Sequence, residues 1–524
     1  MSETQSNVDA DLGSQVNRSW LFWTCFIALI ATAFGFMSRV MMIGEWGVEF
    51  GLTETQKGEI LGAALWPFGI SIFLFSLTID KIGYGKTLAF AFVCHAGSCV
   101  ITILATGYDG LYWGTFLMAL GNGTVEAVIN PAVATIYRHD KSKWLNILHA
   151  AWPGGLVISG MMSLALNPSG LVGGFSSAPI GSQWKVALLL IPTLVYGLMM
   201  IRCRFPVQER VQAGVSYRAM LQEIGIAGAL IIIFLMVGEI SRYFELTQAW
   251  RYGIGGVLLV GFGLYVRSVG QWLFVALMLI MIVSGTTEVS TDQWIKDLMQ
   301  PEVEKLWGLG LDGGWVLVYT ATIMMLLRFC AGPLVRRFNP LGVLAISSAI
   351  AIVGLIFMSN ATGSIILLAA TIYGAGQAFF WPMMLGVVAD RFPRGGAMTL
   401  NTVAAAGVLG IGVLGSPGLG YIQDTRASRD IKAADPALHQ QLIGDEPKTS
   451  IYGSYEAVDR LKVDALDAGD RQVVTEIQVN AKKSTLFTAA VLPAFLLICY
   501  LSLIVYFRMR GGYRPVDIAP DRTG

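Results

Sequence analysis

The chain has 524 residues, of which 54% are hydrophobic and only 14% charged, and its formal net charge is +1. A soluble protein of this length divides into domains with charged, mixed surfaces, and a nucleic-acid partner calls for a basic excess; neither fits this composition. Apolar stretches of about 20 residues, the length that crosses a bilayer core, instead recur along most of the chain.

In chain order, the first 18 residues are polar and lack the basic segment and cleavage site of a secretory signal, so residues 1–19 read as a tail before a retained helix. Six spans follow: Trp20–Ile43, Gly58–Ile79, Thr87–Thr106, Leu111–Tyr137, Trp144–Leu166 and Trp184–Ile201. A polar linker, residues 202–223, holds Arg202, Arg204, Arg210 and Arg218. Eight more spans come after it: Ile224–Ile240, a short Gly-rich Ile254–Val266, Trp272–Trp294, Trp315–Val335, Leu341–Ser359, Ser364–Asp390, Thr399–Tyr421 and Leu486–Phe507. Between the last two lies a long polar loop, 423–485, mixed in charge and expected as a solvated external hairpin with an amphipathic stretch around Tyr455–Gln478. Residues 509–524 form a second tail.

The expected fold is therefore all-α and membrane-integral, with fourteen helices. Basic residues set its orientation: about seventeen Lys/Arg fall in short loops on one side against about six on the other, which places both termini in the cytoplasm. The expected location is a bacterial inner membrane, and the expected state a monomer in the lipid bilayer. The six cysteines have no metal-ligand spacing and sit in or beside the apolar spans, so neither a disulfide framework nor a metal site is expected. The chain has four His and no HExxH, Walker loop or Gly-x-Ser-x-Gly elbow, which argues against an enzyme, an ATP-driven pump and any cofactor.

An internal repeat organises the spans. LNILHAAWPGGLVISG from Leu145 aligns without gaps with LNTVAAAGVLGIGVLG from Leu400, pairing Asn146 with Asn401 and Gly155 with Gly410. The loop around Asp80 matches the one around Arg336, and GNGTVEAVINP at Gly121 matches GAGQAFFWP at Gly374 with a two-residue gap. Residues 20–201 and 268–508 thus read as two six-helix halves, and 224–267 as a two-helix insertion between them. Parallel halves of this kind bind a small solute between them near the bilayer midplane.

The 6+6 arrangement and the loop Asp80-Lys81-Ile82-Gly83-Tyr84-Gly85-Lys86 resemble the major facilitator superfamily, although Ser76 stands where that family usually has glycine. Helices four and five (GNGTVEAVINPAVATIY and KWLNILHAAWPGG) are similar to the fucose–galactose–gluconate:proton symporters. The resemblance implies proton-coupled symport of a sugar or sugar-derived solute by alternating access, with a Glu at the position of Glu126 in the coupling. A drug or metabolite exporter of the same superfamily is the alternative, because exporters also occur with fourteen helices.

Glu126 lies at the middle of its span, where an ionised carboxylate is costly, so it is the candidate proton carrier. Asn130 shares its face one turn on, and Pro131 frees a backbone carbonyl near Ala127. Arg39, in the first span, is a candidate to pair with Glu126 or Glu45 or to bind an anionic group. His149 and Trp152 line the fifth span, the first as a proton relay or a packing residue, the second as a platform for a sugar ring. Glu288 and Asp292 share a face four residues apart, and Gln377 and Trp381 sit in the counterpart of helix four, as polar and aromatic substrate contacts. Asp80, Lys81, Lys86, Arg336 and Arg337 are the gate residues that the resemblance implies, on loops that also satisfy the positive-inside rule.

Overall fold

In a computed structural model the described residues are 17–52, 54–166, 181–292, 295, 299–300, 303, 313–444 and 447–518. They form a bundle of fourteen apolar helices. α1 (Arg18–Glu49) starts where the Asn17 side chain accepts from the Trp20 N–H at 3.0 Å, satisfying one of the free amides of the first turn. After a short helix at Glu54–Gly62 come α2 (Trp66–Ile82), α3 (Tyr84–Ile103) and α4 (Tyr108–Ile136). The turn from α2 to α3 is a single residue, Gly83, at φ +88°, a conformation that any Cβ would oppose. α5 runs as Lys141–His149 and then Ala151–Ala165, and α6 is Leu190–Met200.

The inserted pair is α7 (Tyr217–Tyr243) and α8 (Gln248–Val266). The second half follows: α9 (Trp272–Gly285, continued by a π turn at Thr286–Ser290), α10 (Gly314–Phe329), α11 (Ala331–Asn360, kinked at Asn339), α12 (Ile365–Gln377 and Phe380–Arg391), α13 (Gly396–Gly410, a π turn at Ile411–Gly415, then Ser416–Ala434) and α14 (Val491–Met509). Among the described residues, eleven helical segments are long and apolar enough to cross a membrane, and Trp184–Met200 and Gly314–Phe329 are shorter apolar helices. α4, 29 residues long, adds a span that carries Asn122, Glu126 and Asn130. The chain is a multi-pass integral membrane protein.

Both described ends lie on one face of the bundle, as an even number of crossings requires. Phe22 of α1 packs edge-on against Tyr137 and Trp144. On the same face the tail after α14 returns to α12, where Tyr513 donates to Asp390 at 3.0 Å and the Val516 N–H donates to the Asp390 carbonyl at 2.8 Å. We call this the terminal face.

The opposite face departs from the expectation of a solvated hairpin. α13 continues to Ala434, and Ala468–Ala489 leads directly into α14. Between them Pro436–Leu442, a two-stranded hairpin (β1, Lys448–Ser450; β2, Gly453–Tyr455) and Arg460–Asp464 close a small core of Ile431, Leu438, Leu442, Val463 and Val474. Apolar residues spaced three and four apart on helices that outrun the bilayer need a partner, and here they find one another. The result is a folded cap.

The inserted pair is asymmetric. α8 fully buries only Val266 and exposes most of its outer face, as expected of a helix facing lipid, whereas α7 buries Ile224, Ile232, Leu235 and Glu239 against α9 and α13. At its start Gly225, at φ +61°, lies against the Gly270 backbone, and a Cβ there would stand 2.1 Å from the Gly270 nitrogen. At its far end Tyr243 stacks on Tyr112 of α4, with centroids 5.5 Å apart at 17°, and touches Trp66 of α2. α7 therefore bridges the two halves.

Candidate functional site: a cavity between the halves

A narrow cavity lies between α1, α2, α4 and α5 of the first half and α9, α10, α12 and α13 of the second. Its wall is mostly apolar and aromatic: Phe36, Leu65, Phe68, Trp152, Val289, Trp381, Val408 and Ile411. Four polar side chains interrupt it, Glu126, His149, Glu288 and Arg328. Each is almost wholly buried, so each must find its hydrogen bonds within the protein or in the cavity.

They form one network across the interface. Asn130 Nδ2 donates to Glu126 Oε2 at 2.5 Å, and Asn130 Oδ1 meets His149 Nε2 at 2.8 Å. The His149 carbonyl, on the first half, accepts from Arg328 Nη1 of the second half at 2.8 Å. Arg328 Nη2 binds Glu288 Oε1 at 2.6 Å, and Glu288 Oε2 accepts the Trp381 backbone N–H at 3.2 Å. One turn along α9 from Glu288, Asp292 Oδ1 accepts from Gln377 Nε2 at 3.0 Å. The π turn that carries Glu288 faces the π turn of α13, which presents Ile411 to the cavity; π turns reset the direction of the side chains that follow them.

Two prolines expose the carbonyls that hold this arrangement. Pro131 has no N–H for the Ala127 carbonyl, which instead accepts from Asn401 Nδ2 of α13 at 2.9 Å, across the interface. Pro382 frees the Ala378 carbonyl in the same way, and Arg328 Nε fills it at 2.6 Å. The repeat thus supplies a helix break to both halves, and each break is satisfied by a side chain from another helix.

The sequence-derived candidates divide accordingly. Glu126, His149, Trp152, Glu288 and Trp381 line the cavity, Asn130 links two of them, and Asp292 with Gln377 adjoins it along α9 and α12. Arg39 is elsewhere. It is fully buried between α1 and α3, where it donates to the Gly35 carbonyl, Ser38 Oγ and, at 2.7 Å, Ser98 Oγ. Glu45, its other suggested partner, binds Lys185 at 2.7 Å. Arg39 stands only about 60° around α1 from the cavity-lining Phe36, but its guanidinium turns to α3 and its bond to Ser98.

The expected gate residues also bond locally. Asp80 pairs with Arg210 of the linker, Lys81 lies over the Tyr217 ring, Arg337 over Phe338, and Lys86 is exposed. Of that set, Arg336 lines a cleft on the terminal face with Lys141, Lys143 and Asp390. Hydrogen bonds cross between the halves there from Ser142 Oγ to Asp390 Oδ2 at 3.3 Å and from Lys141 Nζ to the Ala389 carbonyl at 3.4 Å. Because the turn at Gly83 is so short, Asp80 stays at the end of α2, where it meets Arg210 of the linker.

No protein-family profile matches the chain, and no curated protein does. Solved structures do. The proton:xylose symporter XylE bound to 6-bromo-6-deoxy-D-glucose matches with TM-score 0.58 at 13% identity, over 92% of this chain and 95% of that one. The human organic anion transporter MFSD10 matches with TM-score 0.56 at 10% identity, over 93% and 100%. The chain has the fold of the major facilitator superfamily. The E. coli fucose:proton symporter FucP also matches, with TM-score 0.48 at 15% identity, over 89% and 98%.

Arg328 is the site residue that sequence reasoning passed over. It stands between Leu327 and Phe329 in an apolar span, and an arginine inside a membrane span is itself the signal. Its partner Glu288 is 40 residues away in another helix, so no spacing rule joins them.

Proposed function

We propose that this protein is a proton-coupled secondary transporter, a carrier and not an enzyme, which moves a sugar or sugar-derived small solute through the cavity by alternating access. The observation that carries this reading is the setting of Glu126. It is buried in the cavity wall, bonds the Asn130 amide, and has no Lys or Arg paired to it among the described residues. Without a countercharge, its ionised form is costly whenever water is excluded, and a proton is the simplest way to cancel it. A carboxyl that must be protonated to close and can release its proton when open is the elementary part of a proton-coupled carrier. Trp152 and Trp381 supply the flat apolar surfaces on which a sugar ring stacks.

The proposed orientation puts the terminal face in the cytoplasm, from the basic residues on Arg138, Lys141, Lys143, Arg336 and Arg337. Cysteines at Lys448 and Arg337 are expected to label from opposite sides of the membrane, and labelling from one side overturns the orientation. The functional test is accumulation in proteoliposomes under an inwardly acid-driven pH gradient, with a panel of monosaccharides and sugar derivatives against amphipathic drugs. Accumulation of the sugars supports symport; proton-driven expulsion of the drugs instead selects the exporter, a reading favoured by the apolar share of the cavity wall.

A further inference from the structure

The geometry points to a solute that carries one carboxylate, which takes the place of Glu288 on Arg328 while Glu288 takes a proton from the aqueous side. This rests on the transport reading above and adds to it the charge class of the solute and a second proton-binding residue.

Arg328 is the only Lys or Arg lining the cavity among the described residues. A guanidinium has five N–H groups in a planar fork that matches a carboxylate. Two of Arg328's nitrogens are committed to fixed main-chain acceptors, Nε to Ala378 and Nη1 to His149. The fork is therefore held in place by backbone, whatever happens at Nη2. Its bond to Glu288, by contrast, is made to a side chain by a single nitrogen, and Glu288 is itself a member of the cavity wall. Two further N–H groups of the fork have no partner among the hydrogen bonds of the described residues. A carboxylate entering the cavity meets a preformed, positively charged fork whose present countercharge is a side chain of the cavity wall, held otherwise, among the described residues, only by the Trp381 N–H.

Charge fixes the rest. With Glu288 ionised, the pair Arg328–Glu288 is neutral. An added carboxylate would leave one net negative charge in a space lined by Phe36, Leu65, Phe68, Trp152 and Trp381, which burial disfavours. If Glu288 binds one proton as the solute binds, the total returns to zero: a neutral carboxyl, a guanidinium and the solute carboxylate. A dianion such as a phosphate ester would remain one charge out of balance, so a single carboxylate is the class that fits. The titratable and charged groups around Glu288 are Arg328 of α10, His149 of α5, Asp292 on its own helix, Tyr373 of α12 (which donates to the Thr287 carbonyl), Tyr500 of α14 and, across the cavity, Glu126. Of these, Arg328 alone is a fixed cation, which is why displacement must occur there.

The test is binding to the purified full chain in detergent, read by tryptophan fluorescence and by a pH indicator in lightly buffered solution. The probes are a panel of hexuronates, each paired with its amide, which keeps the shape and removes the charge, together with the parent hexoses. Wild type is expected to bind at least one uronate tenfold or more tightly than its amide. E288Q is expected to bind that uronate while taking up one proton fewer per molecule bound than wild type. R328Q is expected to lose the uronate, and E288Q/R328Q, in which both charges are removed together so that no lone charge is buried, is expected to bind the amide at least as well as the uronate. Equal proton uptake in wild type and E288Q overturns the inference, as does a double variant that still prefers the uronate. Binding of parent hexoses with no uronate bound overturns it too, but leaves the transport reading standing. Failure of every probe to bind removes the sugar reading and this inference together.

Discussion

Asn401 of α13 donates through Nδ2 to the main-chain carbonyl of Ala127, 2.9 Å away on α4 of the other half. The acceptor exists because Pro131 withholds the N–H that would otherwise occupy it. The bond therefore joins the halves on the terminal-face side of Glu126, between the cavity and the space lined by Ala134, Thr135, Gln208 and Ala397. Opening toward the terminal face must break it, and water then solvates the carbonyl.

Asn401→Ala is accordingly expected to favour the state open at the terminal face. In the closed state the Ala127 carbonyl would be buried without a partner, at a cost of about 1–3 kcal/mol, or roughly a 5- to 150-fold change in the closed-to-open ratio. A cysteine at Ala134 should then label faster from that side. Asn146 is the control. It occupies the matching position in the repeat, yet its amide donates to Ser142 within α5, at 2.7 Å. Asn146→Ala should leave the labelling rate near wild type. Equal effects of the two variants would show that the Asn401 bond does not latch the halves.

That pair of asparagines also shows what the sequence discloses and what it withholds. The repeat aligned them, and with them the six-helix halves, because helical Gly and Ala spacing survives in a packed membrane interface. The freed carbonyl near Ala127 followed from the chemistry of proline alone. The residue that fills it did not, since Asn401 is 274 positions away and only the packing of α13 on α4 brings it there. Glu126, His149 and Glu288 could be picked out as polar residues in apolar spans. Arg328 carries the same signal, but it lies only eight residues before the basic pair Arg336–Arg337 and merges with that loop on inspection. Arg39 misled for a related reason: depth in a span is legible in a sequence, but the face of an irregularly packed helix is settled by its neighbours. The cap was read as polar because its apolar residues are few and serve one another rather than the bilayer.

The inserted helices are expected to differ in their effect on transport. Cysteines scanned along α8 should show no protection by solute, since that helix buries only Val266 and contributes no residue to the cavity wall. α7 is another matter, because Tyr243 ties it to Tyr112 and to Trp66, the neighbour of the cavity-lining Leu65. An aromatic pair contributes about 0.5–1.5 kcal/mol beyond its buried area, so Tyr243→Ala should raise the labelling of a cysteine at Leu65 about 2- to 12-fold from the capped side. Solute protection at several α8 positions would instead make the insertion part of the pathway.

Glu126→Gln bears most directly on coupling. The amide imitates the protonated carboxyl in shape and in lacking charge, but has no proton to release. If Glu126 carries the proton, this variant should still bind solute and exchange it across the membrane, because alternating movement needs only a neutral site. Accumulation driven by a pH gradient should fall, because Glu126 no longer releases a proton on the side of low proton concentration, and what remains reports the proton that Glu288 takes up with the solute. A structural glutamate would behave otherwise. Its loss would weaken the bond to Asn130, worth about 0.6–2 kcal/mol between membrane helices, and would lower expression, binding and exchange together. The two measurements are therefore made in the same vesicles, counterflow with no gradient and accumulation with one. Retained counterflow with reduced accumulation places a coupling proton on Glu126. Accumulation at the wild-type level takes Glu126 out of the proton path and leaves His149, which shares Asn130 with it, and Glu288, held by Arg328, as the groups to vary next.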